Sequence, residues 1–484
     1  MNDAEAQLQE KLNQAVAHHQ TGKVMEAEAA YREILAEAPD IPVVLNNLGL
    51  VLLAQGKLDE ARASIERAIE LEPGYVDAHS NLGNALRHAG DLDGAVKCFR
   101  HALALNPDYV QALGNLGNTL LDMGQLTESE DAYRRGLEIV PEQPDLYYNL
   151  GRALYEQARW EDAEAAFRKT LSLNHGYPLA HWNLSHVLLL QGRFREAWPE
   201  YDWRWHCPGF TTRIPDLGKP RWNGDDIAGK SILVFAEQGF GDTIQFARYL
   251  PMLADAGATV NFLCQPELER LLGTVEGIQE ITSNLTKLPA YDVFCPLITL
   301  PFLLGTDEEK DVPAAVPYVT PPEDGPSAPD GDGLKVGLAW AGRATHGTER
   351  QRSLDLDAFR PLLEVPGCRF ISLQEGERRG DIGAAGLDRM IADPGDDVAD
   401  FADTGRLIMD LDLVIAVDTA VAHLAGALNK PVWTLLPKIC DWRWMLDRAD
   451  SPWYPSMRLF RQTEYGDWQG VMDEVTGALT EQAG

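Results

Sequence analysis

The sequence predicts an α-helical solenoid followed by two open, parallel α/β domains. Three observations carry this: a 34-residue period in the first part of the chain, a Trp-, Pro- and Gly-rich passage after Tyr201, and short apolar runs alternating with helical spacing from Ser231 onward. At 484 residues the chain exceeds one ordinary core, so two or three domains of roughly 100–200 residues each are expected.

The period is explicit in the residues. Pro39, Pro73, Pro107 and Pro141 are 34 apart, as are Gly49, Gly83, Gly117 and Gly151. Ala27, Ala61 and Ala95 keep the step and Ala163 and Ala197 rejoin it; a bulky side chain recurs at the same step four residues later, in the series Tyr31, Ile65, Phe99, Tyr133, Phe167, Tyr201, with Ser129 in the alanine's place before Tyr133. Gly22, Gly56, Gly90 and Gly124 mark the turn inside each unit. Small residues let two helices approach, and the proline closes the second of them. One such pair cannot bury its apolar face alone, so neighbours stack into a superhelix with a concave groove. The pattern resembles the tetratricopeptide repeat over about residues 8–205, in six units.

Asn47, Asn81, Asn115, Asn149 and Asn183 share the same step. A similar ladder, in the superhelix of the animal enzyme that attaches N-acetylglucosamine to protein Ser and Thr, holds an extended peptide backbone. A carboxamide suits that task because it donates to a carbonyl and accepts from an N–H without reading side chains. Local hydrogen bonding within an "NLG" signature explains the same residues. The resemblance implies a polypeptide partner.

The expected boundaries follow: a repeat superhelix over 1–205, an ordered connector over 206–229, an amino-terminal Rossmann-like domain over 230–320, a linker over 321–333 and a carboxy-terminal Rossmann-like domain over 334–484. The connector should be ordered because Trp203, Trp205 and Trp222 are costly to leave in water, and it should pack the two halves together. "SILVFAE", "TVNFLCQ" and "YDVFCP" read as buried parallel strands, and after the acidic, Pro-rich "TPPEDGPSAPDGDG" a second series follows in "KVGLAW", "RFISLQ", "LVIAV" and "PVWTLL". Two such domains describe the GT-B architecture, whose site lies in the cleft at the carboxyl ends of the strands.

Two stretches carry candidate chemistry. In "VIAVDTAVAHLAGALNKPVWTLL" a buried strand ends at Asp418 and Thr419, where a helix begins whose free N–H groups and dipole attract an anion. His423, four residues on, supplies a further donor. Helix capping by Asp418 and simple packing of His423 are the bland alternatives. In "FAEQGFGDTIQFARYLPML", Gly239 and Gly241 permit a tight turn for a close-approaching acceptor, and Asp242 stands at the rim as a candidate general base. Asp242 and Gln245 also have capping-box spacing, and Glu237 is the alternative base.

Both stretches are similar to those of the bacterial heptosyltransferases and their relatives. There, an Asp-Thr with a following histidine engages a nucleotide-sugar, and the aspartate of a Gly-x-Gly-Asp turn is the proposed base. The resemblance departs at Ala420, where those enzymes carry glycine. It implies a glycosyltransferase of the inverting, metal-independent kind, with no cofactor beyond the nucleotide-sugar co-substrate. A departing phosphate then needs a positive field from the protein. Arg343, Arg350 and Arg352 follow "KVGLAW", and Arg352 is the nearest match to the relatives' cation. Gln374 and Glu375 end "RFISLQ", where ribose or base is usually read. Trp442 and Trp444 offer stacking surfaces or belong to the core. The ending "DWRWMLDRADSPWYPSMRLFRQ" is similar to that of bacterial proteins fusing these repeats to a heptosyltransferase-like domain, some linked to flagellin glycosylation. Flagellin is thus an acceptor implied by resemblance. A transferase acting on lipid or polysaccharide, and an inactive repeat scaffold, are the competing readings.

Composition limits the partners. With 74 acidic against 42 basic residues, the net charge of −32 repels nucleic acid. Six cysteines without a CxxC pair indicate neither a disulfide framework nor a zinc site. A polar, acidic start and the lack of any long apolar run predict a cytoplasmic protein without membrane insertion.

Overall fold

The computed structural model describes residues 3–210, 212, 214–215, 217–237, 239–342 and 352–484. The chain divides into two compact units, 1–180 and 181–484.

The first unit is a stack of antiparallel helix pairs: α1 (Asp3–Gln20) with α2 (Val24–Glu37), α3 (Pro42–Ala54) with α4 (Leu58–Leu71), α5 (Val76–His88) with α6 (Leu92–Leu105), α7 (Val110–Asp122) with α8 (Leu126–Ile139), and α9 (Pro144–Tyr155) with α10 (Trp160–Leu173). The periodic residues explain the pairing. A Cβ on Gly83 would stand 2.6 Å from the Phe99 ring, on Gly117 2.5 Å from Tyr133 and on Gly151 2.6 Å from Phe167, so each glycine is the seat of the bulky residue on its partner helix. Ala27, Ala61, Ala95 and Ala163 are fully buried beside them. The prolines each stand two residues past the end of a second helix, where they cannot obstruct it.

Gly22, Gly56, Gly90 and Gly124 turn the chain at φ between 72° and 84°. In the next unit Ala158 holds that conformation at φ 56°. Its Cβ is strained there, so Ala158→Gly should stabilise the repeats by about 1 kcal/mol, read as a higher denaturation midpoint. An unchanged or lower midpoint would contradict it.

Asn47, Asn81, Asn115 and Asn149 occupy the same place on α3, α5, α7 and α9, and each is partly buried. Asn81 Nδ2 donates to Asn46 Oδ1 at 2.8 Å, so one rung is engaged between neighbouring repeats. Asn183 is on α11 (Pro178–Leu190), in the portion belonging to the second unit.

The second unit takes in that portion of α11, then α12 (Phe194–Tyr201), the connector and two wholly parallel sheets. The first sheet has the order β3-β2-β1-β4, from β1 (Ser231–Phe235), β2 (Thr259–Leu263), β3 (Ile278–Thr282) and β4 (Val293–Pro296). The second has the order β10-β9-β8-β5-β6-β7, from β5 (Leu334–Ala339), β6 (Cys368–Ser372), β7 (Ile391–Ala392), β8 (Leu413–Val417), β9 (Val432–Leu436) and β10 (Met457–Arg461). In this doubly wound order the winding reverses between β5 and β8, and a crevice opens at their carboxyl ends. All seven runs read as strands from the sequence are strands. β3, β7 and β10 add to them: β3 and β10 are part-exposed and β7 is only two residues long, so none shows a continuous apolar run.

The connector is ordered by contacts to the first sheet. Trp222 N donates to Phe294 O at 2.8 Å, and Trp205 packs on Phe235. Arg204 enters the crevice where the first sheet reverses, between β1 and β4. It is 1% exposed and forks onto Glu237 at 2.7 and 2.9 Å, with Thr299 at 2.9 Å, while Ile298 N donates to the same carboxylate at 2.8 Å. α12 adds Trp198, whose Nε1 donates to Thr306 O at 2.8 Å. The Pro-rich linker is tied to the second sheet's helices through Glu323 O and Ala328 N, which bond Arg406 and Asp410. Among the described residues no helix is long and apolar enough to cross a membrane.

Candidate active site

β8 is buried along its whole length and stops at Asp418. Thr419 is the extended N-cap residue (φ −140°, ψ 170°) of the helix Ala420–Ala427, and no side chain caps that helix. The capping role considered for Asp418 is therefore not used. Thr419 Oγ1 is buried without a hydrogen-bond partner, beside the helix's unpaired first N–H groups.

Asp418 is buried beside Asp441, whose side chain is 36% exposed. Burial and the Asp441 charge push its carboxyl up to about 6, against the pull of Arg352 and Arg443. Asp441 is opposed by burial but kept below the usual carboxylate range by Arg443, whose Nη1 donates to its Oδ1 at 2.8 Å. Of the two carboxyls, Asp441 keeps the charge and Asp418 takes the proton first. Asp418 thus titrates near 6 in the fold against about 3.9 unfolded. A raised acid stabilises fully below the unfolded value and loses that contribution as pH rises through the folded one. Asp418→Asn should accordingly stabilise the fold at about pH 7.5, by at most about 3 kcal/mol and read as a higher melting temperature, and give little gain at about pH 4. An equal effect at both would refute the assignment.

His423 lies in the same helix, with Nδ1 2.9 Å from the Tyr454 hydroxyl and its ring stacked 5.2 Å from Trp444. Burial, reinforced by Arg443, lowers it to about 3, so the imidazole is neutral. Its outer edge meets the other lobe: a Cβ at Gly241 would stand 2.7 Å from His423 Cδ2 and 3.6 Å from Ala420 Cα. This corrects the reason expected for the two glycines. Gly239 is an ordinary N-cap residue at φ −64°, and Gly241 is small because His423 lies against it.

Asp242, in the first turn of the helix Phe240–Ala247, is one-fifth exposed. Its Oδ1 accepts from Arg443 Nη2 at 2.6 Å. Gln245 does not form the capping box suggested by its spacing; its Oε1 accepts from Arg443 Nε at 2.8 Å. Arg443 therefore bonds three side chains, two of them on the opposite lobe, and lies 4.4 Å from the centre of the Trp442 ring. Burial works against its charge, yet Asp242 and Asp441 hold it protonated.

Arg352 spreads over Gly342 past the end of β5, where a Cβ would be 2.8 Å from its Nη2, and its buried Nε has no partner. Arg343 and Arg350 lie outside the described residues. Gln374 lines a small crevice with Glu375, Arg379 and Thr404. However, its Oε1 accepts from Trp340 N and Ala341 N, and its Nε2 donates to Ala341 O and Glu375 O, all at 2.9–3.0 Å. That corrects its reading as a donor contact, since no hydrogen-bonding capacity remains. Glu237, the alternative base, is locked under Arg204. Trp442 and Trp444 are 3% and 0% exposed, and thus core.

The structure so brings Arg352, Asp418, Thr419 and His423 together, and Arg443 links Asp242 to them. Sequence reasoning missed Asp441, Arg443 and Tyr454; the one trace of them was the aromatic density around "DWRW".

Residues 399–463, which supply Asp418, Thr419, His423, Asp441, Arg443 and Tyr454, match the model of glycosyltransferase family 9 (heptosyltransferase). Residues 46–100 and 148–202 match one tetratricopeptide-repeat model, and 74–142 and 108–174 another. The chain thus carries one stretch similar to tetratricopeptide repeats and a second, of 65 residues, similar to glycosyltransferase family 9. Protein FlbA of Caulobacter vibrioides is 29% identical over 324 residues, 60% of this chain and 52% of that protein, so the chain spans about half the length of this curated relative. Among solved structures, MamA is 24% identical over 33% of this chain and 94% of its own, with a TM-score of 0.31. A thermophilic repeat protein of Thermus thermophilus is 20% identical over 38% of this chain and 99% of its own, with a TM-score of 0.34. The family 9 match stops short of Asp242 and Arg352, which join its residues only in space.

Proposed function

We propose that the chain is an inverting glycosyltransferase that moves a sugar from a nucleotide-sugar, its co-substrate, to a Ser or Thr hydroxyl of a protein, in the cytoplasm and without a metal or other cofactor. One observation supports the reading: the family 9 segment packs its His423 against Gly241 and bonds Asp242 through Arg443, where two parallel sheets meet beside the helix start at Asp418 and Thr419. In the reaction Asp242 takes the hydroxyl proton while the hydroxyl oxygen forms its bond to the anomeric carbon. The bond from that carbon to the phosphate oxygen breaks, and the nucleotide leaves as an anion. The helix start at Ala420, neutral His423 and Arg352 supply donors and positive field for it.

A protein acceptor is supported by the repeats, which are protein-binding surfaces by architecture. Flagellin is the acceptor this reading favours, on the resemblance of the repeat-fused ending. The test has two arms. A melting screen against UDP-, GDP-, ADP- and CMP-sugars should find one that raises the midpoint by mass action. Mass spectrometry of flagellin co-expressed with the chain should then show a sugar-sized addition. No midpoint shift with any donor, together with unmodified flagellin, sinks the reading; sugar found on lipid or polysaccharide replaces its acceptor.

A further inference from the structure

We infer that Arg443 is the positioning residue for Asp242: held in place on one lobe, it grips one carboxylate oxygen of the other lobe's aspartate and leaves the second oxygen to face the acceptor. This rests on the transferase reading and adds a residue to it.

The geometry is specific. The guanidinium is 6% exposed and cannot choose among rotamers in water. Asp441 Oδ1 holds Nη1 at 2.8 Å, Gln245 Oε1 holds Nε at 2.8 Å, and Trp442 covers one face. What remains, Nη2, reaches Asp242 Oδ1 at 2.6 Å. Asp242 Oδ2 is then turned over the Gly239 turn, 3.6 Å from where a Cβ on that glycine would lie. An unsupported aspartate in the first turn of a helix visits several rotamers; this one is fixed by a charged hydrogen bond. A base must sit within hydrogen-bond reach of its proton, and loss of about an ångström of alignment costs on the order of 100-fold in rate. Because the grip passes from one lobe to the other, Asp242 is aimed only while the lobes are together. Lysine cannot reproduce the fork, since a single ammonium cannot hold Asp441, Gln245 and Asp242 in those directions.

The experiment uses the full chain and the activated sugar identified in the melting screen, with nucleotide release in the presence of flagellin as the rate. R443K should lower kcat by about 10- to 100-fold. Its KM for the nucleotide-sugar, and the midpoint shift that sugar produces, should stay within about two-fold, because the donor's own contacts are untouched. Arg443→Ala should regain part of its kcat when free guanidinium is added at millimolar concentration, which a lost structural prop would not do. R443K with wild-type kcat overturns the inference alone, as does a fall in kcat matched by an equal loss of donor affinity. Should Arg443→Ala fail to fold, R443K carries the kinetic test. A wild-type chain that releases no nucleotide from any sugar sinks the transferase reading, and the role of Arg443 with it.

Discussion

Asp242→Asn should abolish most transfer, by on the order of 100- to 10,000-fold in kcat, while leaving donor binding intact. The amide oxygen can still accept from Arg443 Nη2, which now stands 2.6 Å from Oδ1, so the lobes remain joined and the side chain remains in place. What disappears is the acceptor for a proton. Nucleotide-induced stabilisation should survive, since Asp418, Thr419, His423 and Arg352 are unchanged, and kcat should fall without a matching change in KM. Glu237 cannot substitute, for its carboxylate is spent on Arg204 and Ile298 N. A variant that transfers sugar at the native rate would remove Asp242 from the mechanism.

The largest effect on stability should come from Arg204→Met. Glu237 would be left buried beside β1 with its counter-charge gone; even now burial pushes its carboxyl up against the pull of Arg204. Breaking one side of a buried pair costs about 3–5 kcal/mol. For a unit of this size that lowers the melting temperature by on the order of 10 °C. Replacing both partners, with Arg204→Met and Glu237→Leu, should return most of the loss, because neither charge then has to be desolvated. If the single change costs no more than the double one, the pair is not what secures the connector.

Local pattern explains why some of this was legible in the sequence. The repeats announce themselves because Gly83 must seat Phe99, and the same demand returns with every unit. Strands such as β8 are buried throughout and so appear as unbroken apolar runs. The Asp-Thr and Gly-Phe-Gly-Asp segments were visible because each is a strand-to-helix turn, a local object. Arg443 was not, since its meaning depends on Asp242, 201 residues away and on another sheet. Taken alone, an arginine between two tryptophans says only that something there is buried. Likewise Gln374 stood at the right strand end, but the backbone of Trp340 and Ala341, which occupies it, reaches it only in the folded chain.

The guanidinium of Arg204 has a bearing on substrate placement. A chain with two sheets wound alike begins with two comparable mouths for a nucleotide, and here the first is stoppered by the protein's own side chain, bonded on three sides. On the function proposed above, the activated sugar is then left to the carboxy-terminal sheet. On that same function the amino-terminal one furnishes a wall and a proton acceptor, a division of labour that the Arg204 plug imposes before any ligand arrives.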